Sequence, residues 1–121
     1  MQLGTDIIEI QRIKKVMERQ PAFCRRILTP KENEYCQGRK DQCSFVAGRF
    51  AAKEAIVKCL GLGLRGFGWQ DMNIMPDELG KPCLELSPRL AAIARQRGIN
   101  RIQVSISHSR DYALAVALGE E

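Results

Sequence analysis

The chain has 121 residues, 45% of them apolar, and carries a formal net charge of +5. That is enough for one domain (residues 1–121) with a single core, and it excludes a disordered chain. No apolar run approaches a membrane span, and the first residues lack the basic-then-apolar layout of a secretory leader, so a cytoplasmic protein without membrane attachment is expected. Five cysteines, an odd number with no C-x-x-C pair, and a single histidine argue against a disulfide framework and a zinc site. The positive charge predicts an anionic partner.

Gln2 to Ile10 opens the chain as a strand, with Leu3, Thr5 and Ile7 on one face and Gln2, Gly4, Asp6 and Ile8 on the other. Asp6 is an acid amid apolar residues, where a carboxylate is unfavourable unless it is paired or holds a cation. Gly4 leaves room for a close neighbour. The alternative is that Asp6 caps the next helix.

That helix carries Ile10, Ile13, Val16 and Met17 at helical spacing and is basic through Arg12, Lys14, Lys15 and Arg19. Pro21 interrupts it, and Phe23 to Leu28 brings Arg25 and Arg26. Such a face suits nucleic acid, a membrane surface or an acidic protein, or is simply solvated. Thr29-Pro30-Lys31-Glu32 reads as a helix start with a capping box, running to about Cys36 and ending near Gly38.

The longest helix is placed from Cys43 to Leu60, with Arg49-Phe-Ala-Ala-Lys-Glu54-Ala-Ile-Val-Lys58 at its centre. Glu54 and Lys58 are four apart and share a face, which suits either an ordinary salt bridge or a metal–phosphate ligand. Ala51, Ala52 and Ala55 permit close approach. The glycine-rich stretch from Gly61 to Gly68 ends this helix.

Gln70 to Met75 and Pro82 to Leu86 then read as a hairpin, and Ser87-Pro88 starts a helix ending at Gly98. A last hairpin pairs Ile102–Ser107 with Tyr112–Leu118. His108, Ser109, Arg110 and Asp111 stand at its tip, where they can reach a phosphate or ribose or be mere turn residues. The expected class is α+β: a mostly antiparallel sheet packed on a long central helix.

Three pieces in order, Gly4-Thr-Asp6, Phe50-Ala-Ala-Lys53-Glu54-Ala55 and Ser105-Ile-Ser107-His108, resemble the signature set of the 4′-phosphopantetheinyl transferases in their short form. Arg-Ile-Leu-Thr at 26–29, Ala-Gly-Arg-Phe at 47–50 and Gly-Lys-Pro at 80–82 extend the likeness over the whole chain. Phe50 departs from the tryptophan of many relatives, and the stretch after Gly61 varies in length among them.

The resemblance implies an Mg²⁺-dependent enzyme of fatty acid biosynthesis, with Mn²⁺ as the alternative ion. It moves the phosphopantetheine arm of coenzyme A to a serine of apo acyl carrier protein and releases adenosine 3′,5′-bisphosphate. By the same resemblance Asp6 and Glu54 hold the metal. Glu54, directly or through a bound water, is the base for the serine hydroxyl, and Lys58 stabilises the leaving group. Coenzyme A meets Arg49, Lys58, Gly61, His108 and Ser109. The acidic carrier protein meets Arg12, Val16, Arg19, Phe23 and Arg26. Short-form relatives are homotrimers with sites between subunits, so Arg49 and His108-Ser109 are expected to serve a neighbour's metal site. The rival reading is a small basic nucleic-acid-binding module. It leaves Asp6 and Glu54 unexplained, and the chain has few aromatics for base stacking.

Overall fold

A computed structural model describes residues 1–121. Its elements are β1 (Gln2–Glu9), α1 (Ile10–Arg19), α2 (Phe23–Ile27), α3 (Pro30–Gln37), α4 (Gln42–Leu60), β2 (Met72–Pro76), β3 (Pro82–Leu86), α5 (Pro88–Gln96), β4 (Arg101–His108) and β5 (Tyr112–Glu120). The strands form two antiparallel sheets, one ordered β1-β5-β4 and the other the β2-β3 hairpin.

Local chemistry sets the ends of the helices. Thr29 accepts from the Glu32 amide while the Glu32 carboxylate accepts from the Thr29 amide, the predicted capping box with Pro30 at the first turn. Asp41 caps α4 through the Ser44 amide, and Gly61 closes it with φ +74°, a left-handed conformation suited to glycine. Glu9, not Asp6, stands at the start of α1. Asp6 is therefore no helix cap, and its place in the strand needs another explanation.

α4 is buried almost all round, as expected of an apolar helix with few charged positions. Its Gly48, Ala55 and Cys59 side meets the three-stranded sheet, whose inner face is made of Gly4, Ile8, Val104, Ala113, Ala115 and Ala117. Small residues on both sides bring strand and helix backbones together. A methyl group on Gly4 would collide with the Ala55 carbonyl oxygen and lie 2.7 Å from the Cys59 amide nitrogen. The outer face of the same sheet exposes Leu3, Ile7, Leu114 and Val116.

On its other side α4 is held by a buried ion pair. Lys53 Nζ donates to Glu32 Oε1 at 2.6 Å, to the Ile27 carbonyl at 2.7 Å and to the Trp69 carbonyl at 3.3 Å. Glu32 also accepts from the Thr29 amide at 2.7 Å and the Ile74 amide at 2.8 Å. Every polar group of the pair is satisfied, so removing one partner alone would cost roughly 3–5 kcal/mol.

One expectation fails locally. The strand predicted from Gln70 starts at Met72, and Trp69–Asp71 forms a 3₁₀ turn. The Asp71 carboxylate accepts from the Gly68 amide at 2.8 Å, from Ser87 Oγ and from Arg89 Nη2, both at 2.6 Å. These bonds fix a turn where the apolar pattern suggested extended chain.

Candidate active site

Asp6 on β1 and Glu54 and Lys58 on α4 come together because Gly4 lets the strand lie against the helix. Lys58 Nζ donates to Asp6 Oδ1 at 3.2 Å and to the Thr5 carbonyl at 3.1 Å. It makes no ion pair with Glu54, so the i,i+4 salt bridge considered from spacing does not form. The Glu54 carboxylate is half-buried. Burial first, then the Asp6 charge, push its pKa above the usual carboxylate value, with Lys58 pulling the other way.

Two carboxylates and one ammonium leave a net negative charge at the partly exposed junction of β1 and α4. The side chains form no cage of three or more ligating acids, histidines or cysteines. Mg²⁺ characteristically takes one or two carboxylates and completes its shell with phosphate oxygens and water, so Asp6 and Glu54 fit that ion in the presence of a phosphate substrate.

A second cluster lines a cleft of about 430 Å³ at the other end of α4, bounded by Tyr35, Arg39, Ser44, Arg49, His108 and Ser109 among others. Arg49 donates from Nε to the Ile74 carbonyl at 2.9 Å, and its guanidinium lies 4.4 Å from the Phe45 ring centroid. Burial works against the Arg49 charge, and the nearby Glu32 carboxylate supports it. His108 Nε2 donates to the Ser44 carbonyl at 3.0 Å, which leaves Nδ1 free. A methyl on Gly48 would stand 2.7 Å from His108 Nε2, so this helix glycine admits the ring. The Ser109 hydroxyl accepts from the Tyr112 amide at 3.1 Å and is engaged in the hairpin turn.

The remaining predicted residues are dispersed. Gly61 is the terminus of α4, one turn beyond Lys58. Arg12, Arg19 and Arg26 are exposed and Val16 is half-buried. Phe23 is only 8% exposed and packs 6.1 Å from Phe50, so it belongs to the core and the arginines are the exposed part of that patch. Sequence reading missed Arg39, held over the Tyr35 and Phe45 rings at 5.6 Å, and the pairing of Glu32 with Lys53. Glu32 was visible only as a capping residue. Its second partner lies 21 residues away, and no local pattern marks it.

Known proteins resemble this chain over nearly its whole length. A family model described as the 4′-phosphopantetheinyl transferase superfamily matches residues 2–117. A holo-[acyl-carrier-protein] synthase of Caldanaerobacter subterraneus subsp. tengcongensis is 48% identical over 116 residues, 96% of this chain and 91% of that protein. The crystal structure of the Neisseria meningitidis holo-[acyl-carrier-protein] synthase superposes with a TM-score of 0.93 at 36% identity, covering 99% of this chain and 98% of that one. The Bacillus anthracis synthase in complex with CoA (3′,5′-ADP) gives a TM-score of 0.82, also at 36% identity, over 98% and 94% of the two chains.

Proposed function

This chain belongs to the 4′-phosphopantetheinyl transferase superfamily, and from that premise we infer that it moves the 4′-phosphopantetheine group of coenzyme A to a serine of apo acyl carrier protein. The other product is adenosine 3′,5′-bisphosphate. Relatives named for this reaction match almost the full chain, and related structures hold coenzyme A. The observation that carries the mechanism is the Asp6–Glu54–Lys58 cluster.

Asp6 and Glu54 would hold Mg²⁺, which when bound offsets the negative charge of the coenzyme A diphosphate. The serine oxygen attacks the phosphorus attached to pantetheine, and the bond from that phosphorus to the oxygen of the adenosine phosphate breaks. Glu54, with its raised proton affinity, is the group placed to take the serine proton. Lys58 is half-exposed and turned to Asp6, so its ammonium can meet charge building on the leaving oxygen.

One copy does not complete the site. Arg49 and Lys58 are nine residues apart on α4, which puts them about 180° apart around the helix, and Glu54 is about 140° from Arg49. The metal cluster and the Arg49–His108 cleft therefore face different ways. The exposed apolar strip of Leu3, Ile7, Leu114 and Val116 is the kind of surface that a second copy covers. These features favour a site shared between copies, in the homotrimer that the family resemblance implies, with Asp6, Glu54 and Lys58 of one subunit working with Arg49 and His108 of the next, the latter pair meeting the adenosine 3′-phosphate.

The exposed Arg12, Arg19 and Arg26 complement an acidic carrier protein. No helix is long and apolar enough to cross a membrane, and a cytoplasmic location fits a carrier-protein partner. The direct test is incubation with coenzyme A, Mg²⁺ and apo carrier protein, followed by mass spectrometry. The carrier should gain one phosphopantetheine, and an unmodified carrier would refute the reading.

A further inference from the structure

We infer that Glu32, which lines neither cluster, is a positioning residue for Arg49 and sets the preference for a donor bearing a 3′-phosphate. This rests on the reading of the Arg49 cleft given above.

The link runs through one residue of β2. That strand has a partner on one side only, β3, and Ile74 turns its amide and carbonyl to the open side. The amide donates to Glu32 Oε2 at 2.8 Å, and the carbonyl accepts from Arg49 Nε at 2.9 Å. Lys53 holds the other Glu32 oxygen at 2.6 Å. Ile74 is fully buried, so its peptide groups have no water to turn to, and the clamp fixes where its carbonyl stands.

That carbonyl sets the plane of the guanidinium. With Nε engaged and one face against Phe45, Arg49 keeps two terminal NH₂ groups that bond no protein atom and border the cleft. A fixed planar fork of this kind is how arginine selects phosphate. The charges point the same way. Arg49 and Lys53 are buried cations, and Glu32 is the only buried acid beside them. The excess positive charge borders the cleft, where a bound anion balances it.

The sign of one substitution separates positioning from simple charge. Glu32→Gln removes a negative charge, so by charge alone it should tighten binding of a phosphate. As a positioning residue it should weaken it: the one amide oxygen of glutamine goes to the two donors, Lys53 and the Thr29 amide, so its NH₂ group faces the Ile74 amide, cannot accept from it, and the Arg49 fork loses its setting.

The experiment compares kcat/KM for coenzyme A and for 3′-dephospho-coenzyme A with the full-length protein, Mg²⁺ and apo carrier. Arg49→Ala should erase the preference for coenzyme A. Glu32→Gln should lower that preference roughly tenfold or more, through KM for coenzyme A, with little change for the dephospho donor. Adding Glu32→Gln to Arg49→Ala should lower it no further, since the two act on one interaction. An unchanged or larger preference in Glu32→Gln, or an equal loss with both donors, would overturn the inference while the Arg49→Ala result upholds the cleft reading. An unchanged preference in Arg49→Ala would overturn both. If Glu32→Gln does not fold, the Glu32→Met,Lys53→Met pair removes both buried charges together, and the same loss of preference is expected.

Discussion

Lys58 Nζ lies 3.2 Å from Asp6 Oδ1, across the junction of β1 and α4, and leaves Glu54 on its own helix without an ion-pair partner. The result is a half-buried carboxylate with raised proton affinity beside a second acid. Asp6→Ala and Glu54→Ala should each keep the fold and lower turnover by ~10²-fold or more, because these are the two carboxylates proposed to hold Mg²⁺. Lys58→Ala should slow the chemical step with little effect on the Mg²⁺ concentration needed. Steady-state rates across an Mg²⁺ series check all three, and near wild-type turnover in either acid variant at limiting Mg²⁺ would remove the assignment.

The Glu54 shift also makes a stability prediction. A carboxylate with a raised folded-state pKa favours the fold below its unfolded value, and that contribution is lost as pH rises through the folded pKa. Without metal, Glu54→Gln should therefore melt higher than the parent at pH 7, and the gap should close toward pH 4. Added Mg²⁺ and coenzyme A should raise the parent's Tm more than the variant's. A Tm difference between the two that does not vary with pH would show that burial and Asp6 do not perturb Glu54.

Gly4→Ala tests the strand–helix contact that creates the site. The new methyl group would overlap the Ala55 carbonyl, so β1 must move off α4, with a loss of about 1–3 kcal/mol. Because Asp6 rides on β1, turnover should fall even at temperatures where the variant is fully folded. Denaturant melts and rates on the same sample make the check. Full activity in a folded variant would mean the close approach does not matter.

Much of this was legible in the sequence. Gly4 and Asp6 stand out as a small residue and an acid on one face of a strand, and Glu54 and Lys58 share a helix face. The capping box at Thr29 and the Gly61 terminus are local chemistry, visible in the sequence and present in the structure. What the sequence hides is contact between distant segments: that Lys58 turns to Asp6, that Glu32 serves Lys53 and Ile74 as well as its own cap, and that Phe23 turns inward. Asp71 shows a related failure, since a turn stabilised by Ser87 and Arg89 is invisible to a pattern of apolar residues.

The arginine patch predicts how the carrier docks. Arg12→Glu, Arg19→Glu and Arg26→Glu should each raise KM for the carrier and leave KM for coenzyme A nearly unchanged. Carrier binding should weaken with salt, since the Debye length is about 8 Å at physiological ionic strength. Unchanged carrier KM in Arg12→Glu would move the docking surface elsewhere, and tighter binding of DNA than of carrier would favour a nucleic-acid role.

The central claim is that α4 presents two opposed faces to two different sites, one beside its own subunit's Asp6 and one at its neighbour's metal cluster. A Glu54→Ala chain and an Arg49→Ala,His108→Ala chain should each be inactive as pure trimers. Unfolded and refolded together, they should form mixed trimers in which some junctions pair an intact metal cluster with an intact phosphate cleft, and transfer to the carrier should return. Sedimentation showing a monomer, or no return of activity after subunit exchange is confirmed, would contradict the account.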